Sequence, residues 1–302
     1  MAKGILVHRA DSKYDDFPEE RYQFPKRYLN RARQFIGDWI AFYEPRGGGG
    51  RMGYTAIARI GEIREDPGAK DMYVANIEAG SYLPLEKFVP LRKESNFIEG
   101  DLQKLDGSLN QGLIQWAIRP ISDQDFLHLL ERGYPETPDK LPRIGEITRA
   151  PQAALGFAED IAPYTAQRTP VERTISLIPR DRVFRKIVLE AYEETCALTG
   201  LKLLNGGGRA EVEAAHVRPV AQDGPDTIRN GISLSGTVHW MFDRGLISLT
   251  DNLDILVSRH ANNPNQIWGL LNPSRKAQTP KNPLCRPHPR YLNWHREHCF
   301  KH

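Results

Sequence analysis

The chain has 302 residues, 40% of them hydrophobic and 26% charged, with 41 Lys and Arg against 38 Asp and Glu for a formal charge of +3. This is an ordinary globular composition, and with no run of about 18 apolar residues it excludes a transmembrane helix, so no membrane partner is expected. Cys196, Cys285 and Cys299 are too few and too scattered for a disulfide framework, and the charged start MAKGILVHRADSKYDD lacks a signal-peptide core, which makes a cytoplasmic protein the expectation.

In chain order, Gly4–His8, Trp39–Tyr43, Tyr54–Ile60, Met72–Ile77 and Phe88–Leu91 read as short strands separated by turn residues, among them the Gly47–Gly50 run. Their spacing predicts a small mixed β-barrel rather than βαβ units. A helix is expected over Asp123–Arg132, capped by Ser122 and stopped by Gly133. Residues 136–179 are proline-rich with little periodicity and read as a linker between a first domain, 1–135, and a second, 180–302. In the second, Val183, Phe184, Ile187, Val188, Ala191 and Tyr192 recur at helical spacing, with Gly200 as the stop. The fold class is therefore α+β in two units.

The stretch from Glu211 to Leu249 carries the chemistry. It reads as a strand (Val212–Val217), a loop containing Asp223-Gly224-Pro225, a strand (Ile232–Leu234), and a helix from Val238 to Arg244 with Thr237 as N-cap and Gly245 as terminator. His239 and Asp243, four residues apart, share one helical face. Phosphodiester hydrolysis needs a base for the attacking water and a divalent cation for the developing charge. His216 is the candidate base, His239 a candidate metal ligand, and Asn230 a candidate brace for the loop.

His216, Asn230 and His239, spaced 14 and 9 apart, with CALTG, EAAHVRP, NGISL, HWMFDRGL and YLNWHREHCF around them, resemble the HNH (ββα-metal) nucleases over Cys196–Phe300. The resemblance implies His216 as general base, Asn230 as the structural asparagine and His239 as the ligand of a divalent metal, Mg²⁺ or Mn²⁺. Many HNH enzymes carry a metal-binding Asp or His just before the base, where this chain has Ala215. Glu213, two residues before Ala215 and on its strand face, and Asp243 are the substitute carboxylates; Asp243 alternatively pairs with Arg244. The paired CxxC motifs of many relatives are absent, so no cysteine zinc site is expected in the nuclease core. Cys285, His288, His295, His298 and Cys299 fit no common zinc spacing, and His295 is a candidate for contact near the scissile region.

The first half, through ILVHRADSKYDDFPEERYQFPKRYL, GDWIAFYEPR and YTAIARIGEI, resembles the PUA-like superfamily and its EVE domain. The pairing resembles the EVE–HNH modification-dependent restriction endonucleases. It implies double-stranded DNA bearing 5-methylcytosine or 5-hydroxymethylcytosine as partner and double-strand cleavage; reading the modified base requires flipping it out, and one site per strand calls for a homodimer or two binding events. Tyr22, Phe24, Trp39 and Tyr43 are candidates for the stacking faces of a base pocket, with Asp11 and Ser12 as edge readers. Lys26 and Arg27 are candidates for phosphate contact. So are Arg218 and, in a segment from Arg259 onward with eight Lys/Arg against Glu297, Arg290 and Arg296. Two rivals remain: a non-catalytic reader with a degenerate HNH unit, and a nuclease whose first domain binds unmodified DNA or RNA.

Overall fold

The computed structural model describes residues 3–9, 11–93, 96–135, 172–205 and 208–302. The first unit runs β1 (Lys3–Val7), β2 (Arg21–Pro25), the short α1 (Leu29–Ala32), β3 (Trp39–Glu44), β4 (Gly53–Glu65), β5 (Met72–Ile77) and β6 (Leu83–Pro90). A two-residue hairpin follows, β7 (Arg92–Lys93) and β8 (Asn96–Phe97), and then α2 (Gln111–Ile114), β9 (Ile118–Ile121) and α3 (Asp123–Gly133).

Seven strands form one mixed sheet in the order β2-β5-β4-β3-β1-β9, with β6 also on β4. β1 is parallel to β3, and the other pairings within the sheet are antiparallel. The expected closed barrel is corrected to an open sheet, because β2 and β9 remain the two ends of the hydrogen-bonded path. The 13-residue β4 holds the sheet together: its first half pairs β3 and β6, and its second half pairs β5 past a register shift between Ile60 and Glu62. That shift lets one strand serve two groups of partners by bending.

The helix at Asp123 ends at Gly133, and the Ser122 hydroxyl accepts from the Asp125 amide at 3.0 Å, as an N-cap does. Beneath the sheet, Arg119 is wholly buried and donates through Nε and Nη2 to both oxygens of Glu99 at 2.6 Å, while Tyr54 Oη donates to Glu99 at 2.5 Å. This paired fork satisfies a charge that burial alone would expel.

The expected linker lies outside the described residues up to position 171. Helix α4 (Glu172–Ala191) begins within its last part, at Glu172. Val183, Phe184, Ile187 and Val188 are buried along α4 as the spacing requires. The helix stops at Ala191 rather than near Gly200, because Glu193 and Glu194 take left-handed backbone with φ of 51° and 58°.

The hairpin of β10 (Glu213–His216) and β11 (Gly231–Leu234) is antiparallel, with His216 opposite Gly231. α5 (Gly236–Asp243) follows directly. Its N-cap is Ser235 rather than Thr237, and the Gly236 amide is satisfied by Glu211 Oε1 at 2.9 Å. Gly245 ends the helix at φ 70°, and a Cβ there would lie 1.9 Å from the Cys299 carbonyl, so only glycine lets the C-terminal segment approach. The hairpin β12 (Ile247–Leu249) and β13 (Ile255–Val257), α6 (Pro264–Leu270) and α7 (Pro289–His298) complete the unit. The units share one apolar cluster reaching from Ile57 and Leu83 through Leu129 of α3 to Phe184 and Ile232.

Candidate active site

His216 ends β10, where the chain leaves the hairpin for its connecting loop. Its ring stacks on Phe184 of α4, centroids 3.7 Å apart and planes within 7°. Its Nε2 lies 2.9 Å from Asp226 Oδ1. A carboxylate only accepts, so Nε2–H donates, and in the uncharged form of the ring that bond leaves the lone pair on Nδ1. Stacking on one side and a carboxylate at one nitrogen fix both the tilt and the tautomer of the imidazole. Asp226 escaped the sequence reading; its one signal was an acidic residue next to the Asp223-Gly224-Pro225 turn.

Asn230 is fully buried and closes the same loop. Its Nδ2 donates to the carbonyls of Arg218 at 2.9 Å and Pro225 at 3.0 Å, and its Oδ1 accepts from the Arg218 amide at 2.9 Å. The backbone adds Val217 N–H to the Asn230 carbonyl at 2.9 Å. The loop's two ends are thus tied across twelve residues by one amide side chain.

His239 projects from α5 toward the start of β10, where Glu213 Oε2 lies 2.8 Å from its Nδ1. Asp243 Oδ2 lies 3.5 Å from its Nε2. Both candidate carboxylates thus lie beside His239, at opposite nitrogens of its ring. Among the described residues no three His, Cys, Asp or Glu side chains converge as a metal cluster. The two imidazoles also have different hydrogen-bond partners. His239 with Asp243 remains a solvent-reachable pair of one nitrogen and one oxygen donor. That suits an ion such as Mg²⁺, which keeps several waters and takes few protein ligands.

His295, a candidate for contact near the scissile region, is enclosed in the core of the unit. It is 2% exposed, stacked on Phe242 with centroids 3.8 Å apart, and bonded to Ser248 Oγ at 2.9 Å and the Phe242 carbonyl at 3.1 Å. Burial pushes its pKa down to about 4. The unfolded chain therefore takes up a proton near 6.5 that the folded chain refuses until about 4, and folding stability falls as pH drops through that window. The full effect is on the order of 3 kcal/mol. Urea unfolding at pH 7 and pH 4.5 is expected to show that loss, and His295→Gln is expected to flatten it.

The phosphate candidates divide. Lys26 and Arg27 are exposed, Lys26 3.7 Å from Asp71. Arg290 is exposed beside Tyr291. Arg296 is committed internally, to the Leu249 carbonyl at 2.8 Å and Asp251 at 2.7 Å, and Arg218 donates to the Gln222 carbonyl at 2.5 Å and lies over Trp294. The free-phosphate role expected for Arg296 is therefore withdrawn.

In the first unit, Asp11, Ser12, Tyr22 and Tyr43 line a cavity of about 800 Å³, together with Tyr14 and Gln115. Phe24 and Trp39 do not. Phe24 is packed between Tyr22 and Tyr73, and Trp39 stands four residues from Tyr43 along β3, about 13 Å at the usual strand rise. Tyr22 and Tyr43 are themselves almost fully buried, which leaves the partly exposed Tyr14 as the aromatic with a face to offer. Asp11 is held by Arg9 through two bonds of 2.8 Å, and that hydrogen-bonded guanidinium keeps its carboxyl below the usual range.

The site thus sets a strand-end imidazole held by a carboxylate beside a helix bearing a second imidazole. Residues 196–250, which hold the hairpin and α5, match the HNH endonuclease family. No curated protein matches the chain in sequence. Among solved structures, a modification-dependent TagI restriction endonuclease is similar over 97% of this chain and 80% of its own, at 14% identity and a TM-score of 0.30. Protein Atu2648 of Agrobacterium tumefaciens is similar over 47% of this chain and 99% of its own, at 15% identity and 0.31. The type IV phosphorothioation-dependent restriction endonuclease ScoMcrA is similar over 79% and 46%, at 14% and 0.20. No helix among the described residues is long and apolar enough to cross a membrane.

Proposed function

We propose that the chain is a modification-dependent DNA endonuclease that recognises 5-methylcytosine or 5-hydroxymethylcytosine and hydrolyses a phosphodiester bond at the HNH domain. The observation that carries the hydrolytic half is His216, whose Nε2 is held by Asp226 at 2.9 Å and whose ring lies flat on Phe184. His216 Nδ1 takes a proton from water, the water oxygen forms a bond to phosphorus, and the bond to the 3′ oxygen breaks. That oxygen leaves as a 3′-hydroxyl after protonation, and the other end keeps a 5′-phosphate. Asn230 holds the loop that carries Asp226, so the base does not wander from its line of attack. HNH nucleases generally use a divalent metal; Mg²⁺ or Mn²⁺ at His239 and Asp243 would stabilise charge on the phosphate and the leaving oxygen.

The cavity beside Tyr14 is the modified-base pocket of this reading. Its volume of about 800 Å³ accommodates a flipped nucleotide, with Tyr14 for stacking and Ser12, Asp11 and Gln115 for polar edges. One site cuts one strand, so double-strand cleavage calls for a homodimer or two binding events. The reading places the protein in the cytoplasm, where such DNA would be met. Parallel digestion of one plasmid in methylated, hydroxymethylated and unmodified forms, with Mn²⁺, tests it. Fragments from the modified forms alone are the expected result; equal cutting of all three removes the modified-base sensor.

A second reading, a non-catalytic reader of modified nucleic acid, is favoured by Ala215 at the usual ligand position and by the carboxylates on both nitrogens of His239. Retention of modified DNA without fragments under any divalent ion would select it.

A further inference from the structure

The loop that presents Asp226 to His216 is held from outside its own domain. Arg59, on β4 of the first unit, spreads its guanidinium over three partners. Nε donates to Glu78 Oε2 at 3.0 Å, Nη2 to the Gly37 carbonyl at 2.6 Å, and Nη1 to the Asp226 carbonyl at 2.9 Å. Glu78 completes the bracket, because its other oxygen accepts from the hydroxyl of the buried Thr227. One ion pair of the sheet therefore grips two successive residues of the loop, one by backbone and one by side chain.

The grip is rigid at its base. The Glu78 amide donates to the Arg59 carbonyl at 2.8 Å, the Arg59 amide donates to Ser81 Oγ at 3.0 Å, and Ser81 Oγ donates to the Glu78 carbonyl at 2.6 Å. The turn presses on the nuclease unit closely: Gly80 has φ 74°, and a Cβ there would lie 2.7 Å from Cys285 Sγ and 2.9 Å from Ile228 Cδ1. Side-chain exposures of 11% for Arg59 and 20% for Glu78 keep the pair from being a freely solvated surface bridge. A guanidinium fork reaching three acceptors cannot be replaced by a lysine, which carries a point charge on a flexible stem.

On the far side, Thr227 starts the short turn that ends in Asn230, with the Asn230 amide donating to the Thr227 carbonyl at 2.9 Å. The bracket thus bears on Asp226, which holds Nε2 of the base, and on Asn230, which ties the loop shut.

We propose that Arg59, Glu78 and Thr227 are positioning residues for hydrolysis, by which the first unit sets the geometry of the catalytic loop in the second. This rests on the reading of His216 as the base. None of the three touches the reacting atoms; each acts through Asp226 and Asn230. A small displacement of a base costs rate steeply, so a loosened loop lowers turnover without weakening the hold on DNA.

The test uses the full chain with three substitutions. Thr227→Val keeps shape and removes the hydroxyl, Thr227→Ser restores it, and Arg59→Lys keeps the charge but loses the fork. Thr227→Val and Arg59→Lys are expected to lower kcat on hydroxymethylated plasmid by about 10-fold or more with KM within about 2-fold, and Thr227→Ser to stay near the parent. Hydrogen exchange of the free proteins is expected to quicken at residues 226–231 in the first two variants and not in the third, with all three still folded by circular dichroism.

If the parent chain cuts no DNA, exchange alone decides. Faster exchange in Thr227→Val and Arg59→Lys keeps the bracket while the nuclease reading falls. Unchanged exchange at 226–231, parental kcat in both variants, or a raised KM at parental kcat overturns the proposal. Should Thr227→Val not fold, Arg59→Lys against the parent carries the same comparison.

Discussion

His216→Ala is expected to lower strand cleavage by about 10³-fold while leaving retention of modified DNA in a gel shift near that of the parent chain. The size follows from the usual contribution of a positioned general base, ~10²–10⁴-fold. The separation follows from the fold, since the cavity beside Tyr14 lies on the sheet of the first unit and shares no lining residue with the hairpin that carries His216. The substitution uncovers the ring of Phe184, on which the imidazole lies at 3.7 Å, so a melting curve belongs beside the assay. A folded His216→Ala variant that cuts at the parental rate would falsify the assignment of the base.

Asp226→Ala is expected to lower kcat by about 10²-fold, with DNA retention again unchanged. The carboxylate is what keeps the proton on Nε2 and the lone pair on Nδ1; without it the ring is free to turn on Phe184 and to carry its proton on either nitrogen. The backbone carbonyl at position 226 survives the substitution, so its bond from Arg59 is retained and loop displacement is not the cause. Rapid-quench cleavage of end-labelled DNA measures the chemical step directly. Parental rates there would leave Asp226 a merely structural acid.

Much of the site was legible because its parts are local. The hairpin, the αL stop at Gly245 and the helical pair His239 and Asp243 depend on residues within a few positions of each other, and they stand where the pattern puts them. Asp226 was not legible, because it meets His216 only through the path of an irregular loop. Glu213 was legible only in part. Its strand is right, yet its carboxylate reaches across to His239 Nδ1, and strand alternation does not reveal a partner on a neighbouring helix.

The sheet shows the same division. β1, β3 and β5 follow from runs of apolar residues. β9 contains Arg119 and Pro120 and gives no such run, yet it is an edge strand with a buried arginine, where a proline is tolerated and a carboxylate supplies the counter-charge. Closure into a barrel depends on whether edge strands find each other, which no window of sequence records. Among the pocket candidates, Trp39 and Tyr43 are equally aromatic, and only their separation along one strand distinguishes lining from core.

The most direct measurement is incubation of the purified chain with hydroxymethylated plasmid in Mn²⁺ and, in parallel, in excess EDTA, followed by ligation of the products. The account predicts cutting in Mn²⁺ alone and ends that DNA ligase rejoins without prior treatment, as 5′-phosphate and 3′-hydroxyl ends do. Intact plasmid under both conditions, or ends that need a phosphatase or kinase before they rejoin, would contradict it.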